Sequence, residues 1–196
     1  MEAKLAALGQ QKVPVAADIG AGSGGLSRML TQFSDKVFML DFYHPAGASP
    51  ERTTFFQTDL NTHWPVPDNS VDFGFALEVV EHVENPRHFM RQFARVLKPG
   101  AFGFLTTPNN HSWASKLTFL LKGEHRRFQD PSYPAHLTPV LQCDLERILS
   151  ELRLTRLRWF YSNCDTLPRL HWNIRLPGKA FSDSMGVLFQ KPNTAS

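Results

Sequence analysis

Two periods of apolar residues alternate along this chain. Runs of strand length, rich in β-branched and aromatic residues, cover residues 13–19, 36–41, 53–58, 71–77 and 101–107, and two more fall at 154–160 and 185–191. Between them the apolar residues recur at helical spacing: Leu26, Met29, Leu30 and Phe33; Phe89, Met90, Phe93, Val96 and Leu97; Trp113, Leu117, Leu120 and Leu121; Leu141, Leu145, Ile148, Leu149 and Leu152. Strands alternating with helices predict an α/β domain with a mostly parallel sheet. Local signals set the boundaries. Asn85 before Pro86 starts one helix and Lys98-Pro99-Gly100 ends it, Gly123 ends the next, and Thr138 before Pro139 predicts the start of another.

One connection departs from the pattern. Only residues 42–52 separate the second and third strands, and Pro45, Gly47 and Pro50 argue against a crossover helix, so a turn or bare loop is expected there. Residues 1–11 predict a small helix packed on the sheet, with no export signal. Residues 163–184 hold Arg169, Trp172 and Arg175 without a period, either as a wall of a substrate pocket or as a surface wrap.

At 196 residues the chain suits one α/β domain, expected to span 1–196. No stretch approaches the roughly 20 apolar residues that span a bilayer. Cys143 and Cys164 form no metal spacing, which fits a cytoplasmic location better than a disulfide framework. The net charge of +3 is unevenly placed: residues 1–115 hold nine Lys/Arg against eleven Asp/Glu, and residues 116–179 eleven against six. That excess would attract an acidic substrate, nucleic acid or an anionic membrane; a solvated basic face is the stronger expectation, because no basic run reaches five residues.

The densest signal is residues 13–25, V-P-V-A-A-D-I-G-A-G-S-G-G, a buried strand that drops into four glycines and opens a helix. Glycines let backbone N–H groups approach a ligand and permit positive φ. Gly20, Gly22 and Gly25 satisfy the dinucleotide-binding spacing, and Asp41 stands where that motif expects a ribose-binding carboxylate.

An acidic residue two places before the first glycine, D-I-G-A-G-S-G, resembles instead the first motif of class I S-adenosylmethionine-dependent methyltransferases. The likeness extends through P-V-P-D-N-S-V-D-F-G-F-A-L-E-V-V-E-H-V and V-L-K-P-G-A-F-G-F-L-T-T-P-N, covers roughly residues 15–110, and is similar to the group that includes the ubiquinone-biosynthesis O-methyltransferases. It implies a Rossmann-like three-layer sandwich with a mostly parallel seven-stranded sheet whose last strand is antiparallel. The cofactor implied is S-adenosyl-L-methionine, held by Asp18, Gly20, Gly22, Asp41, Asp59, Leu60 and Leu77. In this family Asp41 would take both ribose hydroxyls, Asp59 the adenine amine and the Leu60 N–H a ring nitrogen.

Chemistry is expected just past the fourth strand. Glu78, Glu81 and His82 lie three and four residues apart, so one helical turn would aim all three at one space, and His136 could add a fourth ligand. Two carboxylates with imidazoles suit Mg, Mn or a similar divalent ion. The order E-x-x-E-H with a later His resembles the small-RNA 3′-terminal 2′-O-methyltransferases, in which four such side chains hold a metal. Without an ion, Glu78 and Glu81 would orient the turn while His82 lines the acceptor pocket, and His82 or His136 would act as general base. The expected function is methyl transfer to oxygen of a small-molecule acceptor; a nucleic-acid acceptor is less favoured. The alternative is a cofactor-binding module that depends on a partner protein. The helix from Trp113 to Leu121, flanked by Lys116 and Lys122, is expected either to pack on the sheet or to form a lid that meets a greasy acceptor or a membrane surface. Asn109 is either a substrate contact or an Asx-turn residue.

Overall fold

The alternation of periods builds seven strands and four helices among the described residues of the computed structural model, which are 12–44, 51–162 and 178–193. They run β1 (Val13–Ile19), α1 (Gly25–Leu30), β2 (Ser34–Asp41), β3 (Thr53–Gln57), β4 (Val71–Leu77), α2 (Pro86–Val96), β5 (Leu97–Pro108), α3 (Trp113–Lys122), α4 (Gln142–Glu151), β6 (Thr155–Tyr161) and β7 (Ser184–Gln190). Short 3-10 turns occupy Val80–His82 and Asp130–Ser132. The helix expected for residues 1–11, the Pro45 to Pro50 part of the second connection, and Arg169, Trp172 and Arg175 lie outside the described residues.

The sheet has the order β3-β2-β1-β4-β5-β7-β6. All neighbours from β3 to β5 are parallel, and β7 runs antiparallel to both β5 and β6. This is the Rossmann-like arrangement with an antiparallel last strand. The carboxyl ends of β1, β2, β3 and β4 share one edge, where open α/β sheets bind ligands.

Burial divides the apolar stripes between the two faces. One face is closed by α2 and α4, whose Phe89, Met90, Phe93, Leu145, Ile148 and Leu149 join Leu40, Ala76, Leu105 and Phe189 in the main core. The other face carries a smaller cluster, in which Leu30 of α1 meets Val37, Met39 and Phe75. Between β3 and β4 the chain folds in on Trp64, which is fully buried. Arg95 holds this loop by donating to the carbonyls of Trp64 and Val66, both at 2.8 Å.

The Asn85 signal works as its chemistry requires, since its side-chain oxygen accepts the His88 N–H at 3.0 Å with Pro86 at the first helical position. Two other boundaries differ. Lys98-Pro99-Gly100 forms no turn; α2 gives way directly to β5 at Leu97, and the extra residues are absorbed by a register shift between Val71 and Phe73, with Gly100 at φ 80°. Thr138 does not cap a helix, because its hydroxyl donates instead to the Val83 carbonyl at 2.8 Å, and α4 begins at Gln142.

Candidate active site

The edge expected to hold the cofactor is built from backbone turns. Asp18, near the end of β1, is buried and accepts a 2.5 Å hydrogen bond from the Ser27 hydroxyl of α1. Burial raises its pKa, and the Ser27 bonds oppose that shift. Gly20 and Gly22 both have positive φ, 76° and 52°. At Gly20 a side chain is excluded twice, since a Cβ would also stand 2.5 Å from Val79 Cγ2. That contact seats the glycine turn against the segment that follows β4.

Asp41 terminates β2 and faces back over the turn. Its Oδ2 accepts the Gly22 N–H at 2.8 Å and its Oδ1 accepts the Tyr43 N–H at 3.1 Å. Asp59, past β3, uses Oδ1 to accept both the backbone and side-chain N–H of Asn61, at 2.9 and 3.0 Å. Leu60 follows with its carbonyl taken by the Trp64 indole at 3.3 Å. Leu77 closes β4, half-buried, and the chain turns at Glu78 with φ 55°, its N–H donating to the Thr106 carbonyl at 3.1 Å. The turn, Asp41, Asp59 and Leu77 thus line one sheet edge.

Beyond Glu78 one buried polar atom is left without a partner among the described residues. Glu81 is fully buried; its Oε2 accepts the Thr107 hydroxyl at 3.1 Å, and its Oε1 has no hydrogen-bond partner. Burial, reinforced by the nearby Glu78 carboxylate, pushes its pKa up to about 8. The His82 Nε2 stands 3.9 Å from that orphaned oxygen. His82 Nδ1 bonds the Ala135 carbonyl, and His136 Nδ1 bonds the Arg127 carbonyl at 2.7 Å. A carbonyl only accepts, so in the neutral rings both Nδ1 atoms carry the hydrogen and both Nε2 atoms keep a lone pair. The two rings meet edge to face at 4.8 Å. Desolvation lowers the His136 pKa, keeping it neutral near pH 7.

Ligand atoms of Glu81, His82 and His136 lie within 4.8 Å of one another. The expected fourth member, Glu78, is not part of this group: its positive φ and the 3-10 turn from Val80 replace the helical turn that would have aligned it. Its own pKa is raised by desolvation. His136 is brought in over a long span of chain because the Leu137 and Thr138 N–H groups both donate to the Glu81 carbonyl at 3.0 Å. A cavity of about 450 Å³ opens beside His136, lined also by Phe119, Phe128, Tyr133 and Leu137. A second hollow of about 500 Å³, between α2 and α4, holds none of the cluster's side chains.

Sequence reasoning missed Thr107 and the carbonyls of Arg127 and Ala135. Thr107 was readable as the end of a strand but not as the partner of Glu81, and backbone carbonyls leave no residue signal at all. Asn109 resolves as a turn residue: its Oδ1 accepts the His111 N–H at 3.0 Å, and its amide donates to the Lys179 and Ser182 carbonyls.

Comparison with known proteins falls on the glycine turn, the strand ends and the segment after β4, and stops short of Thr107 and His136. Residues 17–105 match the family model described as "Methyltransferase domain". A Mycolicibacterium smegmatis protein named "Probable S-adenosylmethionine-dependent methyltransferase" is 29% identical over 96 residues, 47% of this chain and 37% of that protein. The chain thus matches little more than a third of the length of the curated relatives. Among solved structures, an S-adenosylmethionine-dependent methyltransferase of Mesorhizobium loti superposes with a TM-score of 0.67 at 15% identity, covering 96% of each chain. A chain from a complex containing the Haloferax volcanii Trm112 methyltransferase activator gives 0.67 at 16% identity, covering 97% of this chain and 88% of that one.

Proposed function

We propose, for a chain that carries an S-adenosylmethionine-dependent methyltransferase domain at residues 17–105, that it moves the methyl group to an oxygen of a small-molecule acceptor. The observation that carries this reading is the pair of imidazoles, each with its Nδ1 on a backbone carbonyl, beside a buried Glu81 oxygen that has no partner. The glycine turn abuts Val79, two residues from Glu81, so the donor and the basic groups adjoin. In this reading Asp41, Asp59 and the turn around Gly20 and Gly22 hold the cofactor, with Asp18 fixing the turn through Ser27, and Leu60 and Leu77 lining the adenosine.

Transfer from a sulfonium needs in-line approach and, for a hydroxyl, loss of a proton. With no ion bound, the acceptor O–H bond breaks as its proton passes to the Nε2 of His82 or His136, the O–CH₃ bond forms, and the S–CH₃ electron pair returns to sulfur, leaving S-adenosylhomocysteine; with an ion on those nitrogens, the proton of the acidified hydroxyl would leave to water instead. Glu81, His82 and His136 also fit a divalent ion as mixed O/N ligands: Glu81 Oε1, which no described residue bonds, stands 3.9 Å from His82 Nε2. An ion held there would lower the pKa of an acceptor hydroxyl.

Turnover with isotope-labelled cofactor across a panel of hydroxyl acceptors tests the reaction. Chelation is expected to abolish turnover and leave cofactor affinity unchanged, and His136→Ala to abolish Mn binding seen by paramagnetic resonance. Turnover that survives chelation reduces the site to a histidine base. A second reading, a module active only with a partner protein, draws on the Haloferax volcanii complex with its activator. It would show as cofactor binding without turnover by the isolated chain.

A further inference from the structure

Helix α3 is folded inside out. Its buried residue is Ser115, 3% exposed, whose hydroxyl pairs with His125 Nδ1 at 3.1 Å and accepts the Arg126 N–H at 3.4 Å. At 100° per residue, Trp113, Leu117, Leu120 and Leu121 centre on the opposite side. All four are exposed, Leu120 at 80% and Leu121 at 75%. An amphipathic helix on a sheet hides its apolar stripe, and this one presents it to solvent.

The charges around that stripe have one dominant sign. From His111 to Gln129 the chain holds Lys116, Lys122, Arg126 and Arg127 against Glu124 alone. Arg126 is paired with Asp183, whereas Lys116 lies over the Trp113 ring at 5.4 Å, on the rim of the stripe. A tryptophan with a lysine on the rim of a leucine face, and a second lysine at the end of the helix, matches a lipid headgroup boundary better than a protein interface, where lysine is depleted. The same helix supplies Phe119 to the cavity that His136 lines. The membrane face and the cavity therefore share one short element at the reactive edge.

We infer that α3 docks on an anionic lipid bilayer, with Trp113, Leu117, Leu120 and Leu121 among the headgroups and acyl ends, and so places the cavity beside His136 at the bilayer surface for an amphiphilic acceptor. The choice of acceptor rests on the methyl-transfer reading; the docking does not. The test is flotation of the protein with vesicles of phosphatidylglycerol and phosphatidylcholine, or of phosphatidylcholine alone, at low and high salt. Binding should require the anionic lipid, fall with salt, and drop about fivefold for Lys116→Ala on the rim and less for Lys122→Ala at the end of the helix. The pair Leu120→Asp, Leu121→Asp should abolish it while leaving the thermal midpoint and cofactor affinity unchanged. Equal binding to neutral vesicles, or none to either, overturns the inference. A fall in thermal midpoint in the Asp pair would mean that other residues of the chain cover the stripe. A dimer in light scattering that the Asp pair dissolves would mean a second copy does, and either result overturns bilayer docking. Cofactor titration, run separately, shows whether a failure belongs to the docking or to the methyltransferase reading.

Discussion

The two ends of the reactive edge handle their carboxylates in opposite ways. On the cofactor side, Asp18, Asp41 and Asp59 each accept hydrogen bonds from neighbours in the turns: Ser27, Gly22 and Tyr43, and Asn61. On the side expected for the acceptor, Glu81 is as deep as Asp18, and deeper than Asp41 and Asp59, but keeps an oxygen with no donor, facing an imidazole lone pair. The contrast follows from what each end meets. In the proposed reading, a cofactor with fixed hydroxyls and a fixed amine is received by acceptors that turns already orient, whereas a place for a cation keeps an oxygen that no neighbour claims. The cofactor half is preorganised by satisfied bonds, and the acceptor half is poised by an unsatisfied one.

The largest effect should come from removing that poise. Glu81 has its pKa raised from 4.5 to about 8, so the folded state binds more protons than the unfolded state between those values. Stability therefore falls as pH rises through that window, by on the order of 5 kcal/mol in total, and is level above it. Glu81→Gln should remove most of this slope, read as urea midpoints at pH 5.5 and 8.5. If the slope is the same in both proteins, the buried Glu81 is not what sets it. A divalent ion added at pH 8.5 should raise the wild-type midpoint and leave the variant's unmoved.

Next comes the joint between the halves. Gly20→Ala combines a positive φ with a Cβ 2.5 Å from Val79, so it should cost on the order of 3 kcal/mol of stability and weaken both cofactor binding and turnover. Gly22→Ala, with the same sign of φ but open space around it, should cost less. Equal effects at the two positions would mean that backbone strain alone matters and the Val79 contact does not.

Asp41→Ala addresses the cofactor half by itself. It should weaken S-adenosylmethionine binding by about 1.5–3 kcal/mol in calorimetric titration, through lost charge-assisted bonds. Because Oδ2 also holds the Gly22 N–H, part of that loss belongs to the turn. Asp41→Asn, which keeps an acceptor oxygen, should recover some affinity; unchanged affinity in both variants removes Asp41 from the site.

How much of this the residues announce follows their range in sequence. The sheet, the glycine turn and Asp41 are legible because strand periodicity and a tight turn are local patterns that tertiary contacts seldom reverse. The missing alignment of Glu78 was not, since E-x-x-E-H reads as a helical turn and only a positive φ at Glu78 breaks it. Nor was the reversal of α3: periodicity finds the apolar stripe of Trp113, Leu117 and Leu120 but is silent on which side faces the sheet. The start of α4 was misplaced because a Thr-Pro pair looks like a cap wherever it stands, while the Thr138 hydroxyl had a carbonyl 55 residues away to satisfy.

That same threonine gives the smallest test. Thr138 contributes two of the bonds that bring His136 to Glu81, its N–H to the Glu81 carbonyl and its hydroxyl to Val83. Thr138→Val keeps the first and removes the second, leaving the buried side of the turn short of one donor at a cost of about 1 kcal/mol. Stability should drop slightly and cofactor affinity not at all, because neither Thr138 bond involves the glycine turn, Asp41 or Asp59. Turnover should fall more than stability does, since the backbone around His136 sets where its ring meets Glu81 and His82. A matched loss of cofactor affinity would mean that the two halves are one coupled unit, and the contrast between a satisfied and a poised end would then describe the resting geometry without describing how the site works.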